Sequence, residues 1–310
     1  MDAVAGLLDG PRARGAFLLR STMDPPWSLR IEDEAPLTLA AVVRGSAWVV
    51  YDDGERVRMG PGDVAVMRGP DPYLVADDPA TPVQAVVDPG QDCRTPDGVA
   101  VPIMEIQGVR SWGNVADGET VLVTGSYALD GEVSLRLLRA LPRLIVLAAD
   151  EWSCPLVPLL ADEIVKDEPG QEAVLDRLLD LLLIAVLRAW FARPEAQAPA
   201  WYRANGDPIV GPALRLLHHE PAKPWTVASL ADAVGVSRAT LARRFAELVG
   251  EPPMAFLTDW RIALAADLLR EPGATIASVA EQVGYSSAFA LSAAFKRVRG
   301  ISPQQHRQAA

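Results

Sequence analysis

One stretch of this chain is written twice. Thr226-Val-Ala-Ser-Leu-Ala-Asp-Ala-Val-Gly235 returns 49 residues later as Thr275-Ile-Ala-Ser-Val-Ala-Glu-Gln-Val-Gly284. Every position is identical or similar except Ala233 against Gln282. After one added residue the correspondence resumes: Leu241 with Leu291, Phe245 with Phe295, Gly250 with Gly300, Pro253 with Pro303. Self-similarity of this kind means one small supersecondary unit built two times.

Each copy carries the same folding instructions. A Thr is placed to cap a short helix by accepting a backbone N–H. Leu230 and Val234, or Val279 and Val283, give that helix one apolar face. A Gly then permits the left-handed residue that ends it. Ser237 caps the next helix in the first copy, and Ser286 or Ser287 does so in the second. The Leu and Phe of that second helix pack back on the first, which is a helix-turn-helix. Between the copies, Met254–Glu271 reads as one helix with Phe256, Leu257, Trp260, Leu264, Leu268 and Leu269 inward. At 1.5 Å per residue such a rod spans about 27 Å, near the roughly 34 Å between successive major grooves on one face of DNA. The bland alternative is an all-α domain duplicated only for packing.

Charge favours the nucleic-acid reading. The whole chain is acidic, with a net of −11. From Asp207 onward, however, 11 Lys+Arg face 9 Asp+Glu, a net of +2, which leaves −13 on residues 1–206. Such asymmetry suggests two domains with different partners. In the first copy Arg243 is the best candidate for a base contact, and Arg238 or Arg244 for phosphate, because guanidinium forks match both. Ala239 and Ala242 share that exposed face, and Thr226, Ser237 and Thr240 are placed for phosphate bonds near helix starts. The second copy is poorer. Ser286, Ser287, Ala288, Phe289, Ser292 and Ala293 offer no bidentate partner for a base, and Lys296, Arg297 and Arg299 supply charge toward phosphate. Phe289 is open to two readings, a contact to a thymine methyl or a core side chain. The first copy is expected to specify sequence and the second mainly to anchor.

The remaining two-thirds reads differently. Leu37–Val43, Ala47–Tyr51, Val64–Met67 and Val83–Val87 are short apolar runs split by turn signals, of which Asp53-Gly54 is a strong hairpin signal. Gly60-Pro61-Gly62-Asp63 is a second tight turn. Strands at this spacing suggest a sandwich or small barrel. Residues 1–20 read as a leader with one amphipathic turn around Leu7 and Leu8. After Leu129 helices are expected, around Leu135, Leu138 and Leu141, then over Leu156–Ile164 and Gln171–Phe191. Arg193–Asp207, with two prolines and Asn205-Gly206, is the expected boundary, which gives domains 1–200 and 201–310. Over Gln171–Arg193 the leucines cover more than one narrow stripe, so this helix is buried inside its domain or forms a dimer seam.

Several classes fall away. The N-terminus has no basic start followed by an apolar run, so no secretory leader is expected. Leu181–Leu187 is far shorter than the roughly 20 residues of a membrane span. The only cysteines, Cys93 and Cys154, make no disulfide scaffold and suit a reducing compartment, hence a cytoplasmic protein. Either could serve redox sensing if its thiol pKa is lowered. His218, His219 and His306 all lie in the basic part. A histidine-rich metal site is therefore not expected in the strands, and no cofactor or catalytic residue is assigned. Trp27, Trp48, Tyr51, Tyr73 and Trp112 are candidates to line a ligand cavity or, equally, to fill a core.

Trp225-Thr-Val-Ala-Ser-Leu-Ala231, Ser237-Arg-Ala-Thr-Leu-Ala-Arg-Arg-Phe245, Gly250-Glu-Pro-Pro-Met254, Trp260-Arg-Ile-Ala-Leu-Ala-Ala266, Gly284-Tyr-Ser-Ser287, Ala294-Phe-Lys-Arg297 and Gly300-Ile-Ser-Pro303 resemble the DNA-binding domain of AraC/XylS-type transcriptional regulators over Pro208–Arg307. The family commonly has Glu or Gln at the place of Ala288 and Arg at that of Ala293. Val43-Arg-Gly-Ser-Ala-Trp48, Gly60-Pro-Gly-Asp-Val64 and Ala76-Asp-Asp-Pro79 resemble the cupin-type sensor domain of some of these regulators. The resemblance implies an α+β chain: an N-terminal cupin-like β-barrel followed by dimerisation helices, then an all-α tandem helix-turn-helix domain. It implies a homodimer through Gln171–Arg193, double-stranded DNA as partner and a small-molecule effector. The rival readings are a cupin-type enzyme with an appended binding module and a cysteine-based redox regulator.

Overall fold

The computed structural model describes residues 17–99, 105–108, 110–127, 135, 138–152, 154–196 and 198–308, with the backbone alone at 17, 105–108 and 195. They form two compact units. One comprises the described residues of Arg12–Leu129 and Leu141–Ala196, the other those of Asp130–Ala140 and Gln197–Ala310. The amphipathic turn expected around Leu7 and Leu8 lies outside the described residues, as does most of the helix expected around Leu135–Leu141.

The first unit is built from strands β1 (Phe17–Met23), β2 (Ser28–Ile31), β3 (Leu37–Arg44), β4 (Ala47–Tyr51), β5 (Arg56–Met59), β6 (Val64–Arg68), β7 (Tyr73–Ala76), β8 (Ala85–Val87), β9 (Cys93–Arg94), β10 (Glu105–Gly108), β11 (Ser111–Gly113), β12 (Thr120–Tyr127) and β13 (Leu144–Leu147). Two helices follow, α1 (Leu156–Glu163) and α2 (Gln171–Phe191). The Asp53-Gly54 turn joins β4 to β5 as expected. Gly54 takes φ 91°, and the Asp53 carboxylate accepts the Glu55 amide at 3.1 Å. The second tight turn leads into β6, with Asp63 accepting the Gly60 amide at 2.7 Å.

The expected closed barrel is corrected. The strands make a seven-stranded sheet, β10-β11-β1-β12-β3-β6-β13, and a six-stranded sheet, β5-β4-β7-β2-β8-β9. Among the described residues no pairing joins the edges of either sheet. The sheets instead share one core, with Val42, Ala65, Met67 and Leu122 from the first against Leu29, Val49, Tyr51, Met59 and Tyr73 from the second. Sheet-on-sheet packing buries the apolar faces without ring closure. A second correction concerns the stretch after Leu129, which is not purely helical: β13 returns to pair with β6.

The larger sheet is covered on both sides, so β3 is buried at six successive positions and does not alternate. Residues Ala40 and Val42 face the other sheet. By the two-residue period of a strand, Leu39 and its β12 partner Gly125 face the helices. A Cβ on Gly125 would lie 2.7 Å from both methyls of Leu179 in α2. The Tyr127 hydroxyl donates to the Leu179 carbonyl at 3.0 Å. One face of α2 thus sits in a notch of β12.

The second unit is helical among its described residues: α3 (Ala200–Ala204), α4 (Val210–His219), α5 (Val227–Ala233), α6 (Arg238–Val249), α7 (Pro253–Leu268), α8 (Ile276–Gln282), α9 (Ala288–Arg299) and α10 (Pro303–Gln308). Helix α7 starts one residue earlier and ends three earlier than Met254–Glu271. Pro253 occupies its first turn, where a missing N–H costs nothing.

Candidate nucleic-acid interface

The two halves of the repeat fold alike down to individual hydrogen bonds. Thr226 accepts the Ser229 amide at 3.0 Å, and Ser229 Oγ accepts the Thr226 amide at 2.9 Å. Thr275 and Ser278 do the same at 3.0 and 3.1 Å. Both are capping boxes with Ser at the third position. Gly235 and Gly284 then take φ 74° and 84°. Ser237 caps α6 by accepting the Thr240 amide at 3.2 Å. In the second copy the cap is Ser287, which accepts the Ala290 amide at 3.2 Å.

Each copy has its own core. Leu230, Ala231, Leu241 and Phe245 pack with Leu214, Leu217, Phe256 and Leu257. Val279, Ala280, Val283, Leu291 and Phe295 pack with Ile262, Ala265, Ala266 and Leu269. The first half of α7 therefore serves the first copy and the second half serves the second. At 16 residues the helix spans about 24 Å.

A clasp joins the copies beside α7. The Arg261 guanidinium donates to the carbonyls of Pro221 at 2.7 Å and Lys223 at 2.8 Å. It also lies 5.8 Å from the Tyr285 ring centroid. The turn of the second copy approaches that same loop so closely that a Cβ on Gly284 would lie 2.5 Å from the Ala222 carbonyl oxygen. The equivalent position on Gly235 has nothing within 4 Å.

Burial of Leu241 with Phe245, and of Leu291 with Phe295, fixes the outward line of each second helix. By helical spacing that line runs Ala239, Arg243 and Ala246 on α6, and Phe289, Ala293 and Lys296 on α9. Ala239, Arg243, Phe289, Ala293, Lys296 and Arg297 are exposed, as are Arg238, Ser286 and Ser287, whereas Ala242, Ala288 and Ser292 are half-buried. Phe289 is 84% exposed, so it is no core residue. The Ser292 hydroxyl donates to the Ala288 carbonyl at 2.8 Å.

The arginines of α6 differ in their engagements. Arg243 meets Glu247 at 2.9 Å one turn on, an exposed pair of small worth. Arg244 makes two bonds, 2.9 and 2.6 Å, to Asp207 Oδ2. The other Asp207 oxygen accepts the amides of Ile209 and Val210, both at 2.9 Å. The Arg244 guanidinium and these amides hold the Asp207 carboxyl at a pKa of about 2. Arg244 is thus a brace between α6 and the start of α4, which sequence spacing did not reveal.

A cupin family model matches residues 2–192, and a helix-turn-helix domain model matches residues 230–309. A protein of Streptomyces lividans described as an AraC-like transcription regulator is 34% identical over 99% of this chain and 98% of its own. The chain belongs to the AraC-like transcription regulators. A similarly described protein of Streptomyces antibioticus is 32% identical over 99% of both chains. The DNA-binding domain of AdpA, solved in complex with a target DNA, is 33% identical to 34% of this regulator and 93% of that chain, with a TM-score of 0.32.

The five aromatic candidates of the regulator's cupin unit differ in burial. Trp27, Tyr51 and Tyr73 are buried in the core between the sheets, and Trp112 packs against that core half-buried. Trp48 is half-buried, with the Arg56 guanidinium 6.0 Å from its ring centroid. An open cleft of about 760 Å³ lies elsewhere, walled by Pro25, Ser46, Arg58, Asp77, Asp78 and Glu119 among others. Cys93 is half-buried, and burial with Asp92 and Asp88 nearby pushes its thiol pKa up, away from the thiolate a redox sensor needs. Cys154 is also a half-buried free thiol. Among the described residues no His, Cys, Asp and Glu cluster could hold a metal ion, and no helix is long and apolar enough to cross a membrane.

Proposed function

We propose that this AraC-type regulator grips double-stranded DNA through the outward lines of α6 and α9. The first copy supplies the arginine that reads sequence, and the second mainly anchors. The observation that carries this reading is the pair of identically capped second helices, each with one face turned to solvent. Arg243 is the base-reading side chain, since it is exposed and engages an equally exposed Glu one turn away. Arg238 meets phosphate beside the Ser237 and Thr240 hydroxyls. Arg244 supports α6 through Asp207 instead of touching DNA. Lys296 and Arg297 meet phosphate in the second copy, and exposed Ser286 precedes the Ser287 cap of the helix that carries them.

Two further parts belong to the same proposal. The protein pairs with a second copy through α2, whose Val174, Leu178, Leu181 and Ala185 recur on one line, with Val174 and Leu181 45% and 50% exposed. Its cupin unit senses a small molecule in the cytoplasm and performs no catalysis; the strands carry no histidine, which supports a sensor over a histidine-ligated metal enzyme. The test of the interface is substitution in the full chain. Arg243→Ala relaxes base preference at one position of a selected site, and Lys296→Ala weakens all duplexes alike and lowers the salt slope by about 1. Equal shifts of preference from both would refute the division of labour.

A further inference from the structure

We propose that the second copy also reads sequence, through apolar contact of Phe289 with the 5-methyl group of a thymine in the major groove. The inference rests on the DNA reading above and assigns the second copy a specificity of its own. Phe289 is the second residue of α9, which starts directly after the Ser287 cap. In a helix-turn-helix the first residues of the second helix meet base edges. At 84% exposure it is the most exposed of the large hydrophobic side chains described.

Position 289 corresponds to Ala239 in the first copy, and Arg243 corresponds to Ala293. Each outward line thus carries one long side chain near its middle or start, a guanidinium on α6 and a phenyl ring one turn earlier on α9. Around the ring the neighbours are small: Ala288, Ala290, Ser292 and Ala293. Small side chains let the helix backbone come close to the groove floor while the ring projects beyond it. Ser292 has its hydroxyl proton on the Ala288 carbonyl, which leaves the α9 line without a donor to aim at a base before Lys296. Lys296, Arg297 and Arg299 make the far end of α9 cationic, so the helix that presents this exposed ring also carries charge suited to a polyanion. The one apolar feature that a base pair shows in the major groove is the thymine methyl, and Phe is a known match to it.

The experiment uses full-length protein and a randomised duplex library. Wild type is expected to enrich sites with one thymine column that Phe289→Ala loses, while the column lost in Arg243→Ala persists. In the best wild-type duplex, replacing that thymine by deoxyuridine removes only the methyl. Wild-type affinity should fall about four-fold, the worth of one buried methyl-sized group, and Phe289→Ala should bind both duplexes equally. Wild type that binds thymine and uracil duplexes equally at every position of the site overturns the inference and leaves the DNA reading standing. So does Phe289→Ala enriching unchanged sites. A wild-type chain that retains no duplex at low salt overturns both. The wild-type comparison needs no variant, and Phe289 lies outside the core, so loss of folding does not blur the result.

Discussion

Gly235 and Gly284 hold the same place in the repeat, yet replacing each with Ala should have unequal effects. Both take positive φ, 74° and 84°, and a left-handed Ala costs about 1–2 kcal/mol. At Gly235 nothing else opposes the new methyl. At Gly284 the methyl would meet the Ala222 carbonyl oxygen at 2.5 Å, against an ordinary contact of 3.4 Å or more. Backbone must therefore retreat by about 0.9 Å. Its loop resists: Arg261 holds the carbonyls of Pro221 and Lys223, and Trp225 Nε1 donates to the Glu220 carbonyl at 3.0 Å. Overpacking against such a braced wall adds about 1–3 kcal/mol. Gly284→Ala should thus cost about 2–5 kcal/mol and Gly235→Ala about 1–2. Hydrogen exchange of full-length protein, read on peptides spanning 227–249 for Gly235→Ala and 276–299 for Gly284→Ala, measures each local loss. Because the clasp ties the copies together, Gly284→Ala should also weaken binding to a selected duplex more than Gly235→Ala does. Equal losses of protection and affinity from the two variants would refute the clasp as a rigid spacer.

Three more outcomes are expected. Asp207→Ala should cost about 2 kcal/mol, because the amides of Ile209 and Val210 lose their acceptor. The folded state holds that carboxyl near 2 against an ordinary 3.8. The wild-type advantage in urea denaturation should therefore be full above pH 3.8 and vanish as pH falls through 2; a gap that stays constant to pH 2 would refute the assignment. Leu181→Glu should shift sedimentation from dimer to monomer, and a wild-type protein that is monomeric at every concentration would remove the α2 seam. Oxidant at levels that convert exposed low-pKa thiols should leave DNA binding unchanged in wild type and in Cys93→Ser alike, since burial and two carboxylates disfavour the thiolate.

What the sequence revealed depended on whether a feature is local. Caps, left-handed glycines and the Leu–Phe faces of the repeat act within a few residues, so both helix-turn-helix units were readable to the cap, save the choice of Ser287 over Ser286. The α2 limits were equally local. Sheet closure was not: the strand runs permit a barrel or a sandwich, and pairing between distant edges decides. The return of β13 escaped because Leu144–Leu147 is short and pairs with a strand some 80 residues earlier. Within the interface, Arg243 and Arg244 look equivalent as neighbours in sequence, and only Asp207, 37 residues away, separates them. Phe289 could be core or surface until the positions of Leu291 and Phe295 fixed the rotation of α9. The aromatics of the cupin unit turned largely inward for the same reason, since a strand pattern states alternation but not which side is the inside.

The notch that receives Leu179 limits how the cupin unit moves. A slide of α2 along the sheet would drive its isobutyl group onto the flanking backbone and break the bond from Tyr127. A tilt about that point leaves both nearly intact. Any side chain at position 125 larger than hydrogen would therefore lift α2 off the sheet at this point, because its first carbon would already overlap both Leu179 methyls.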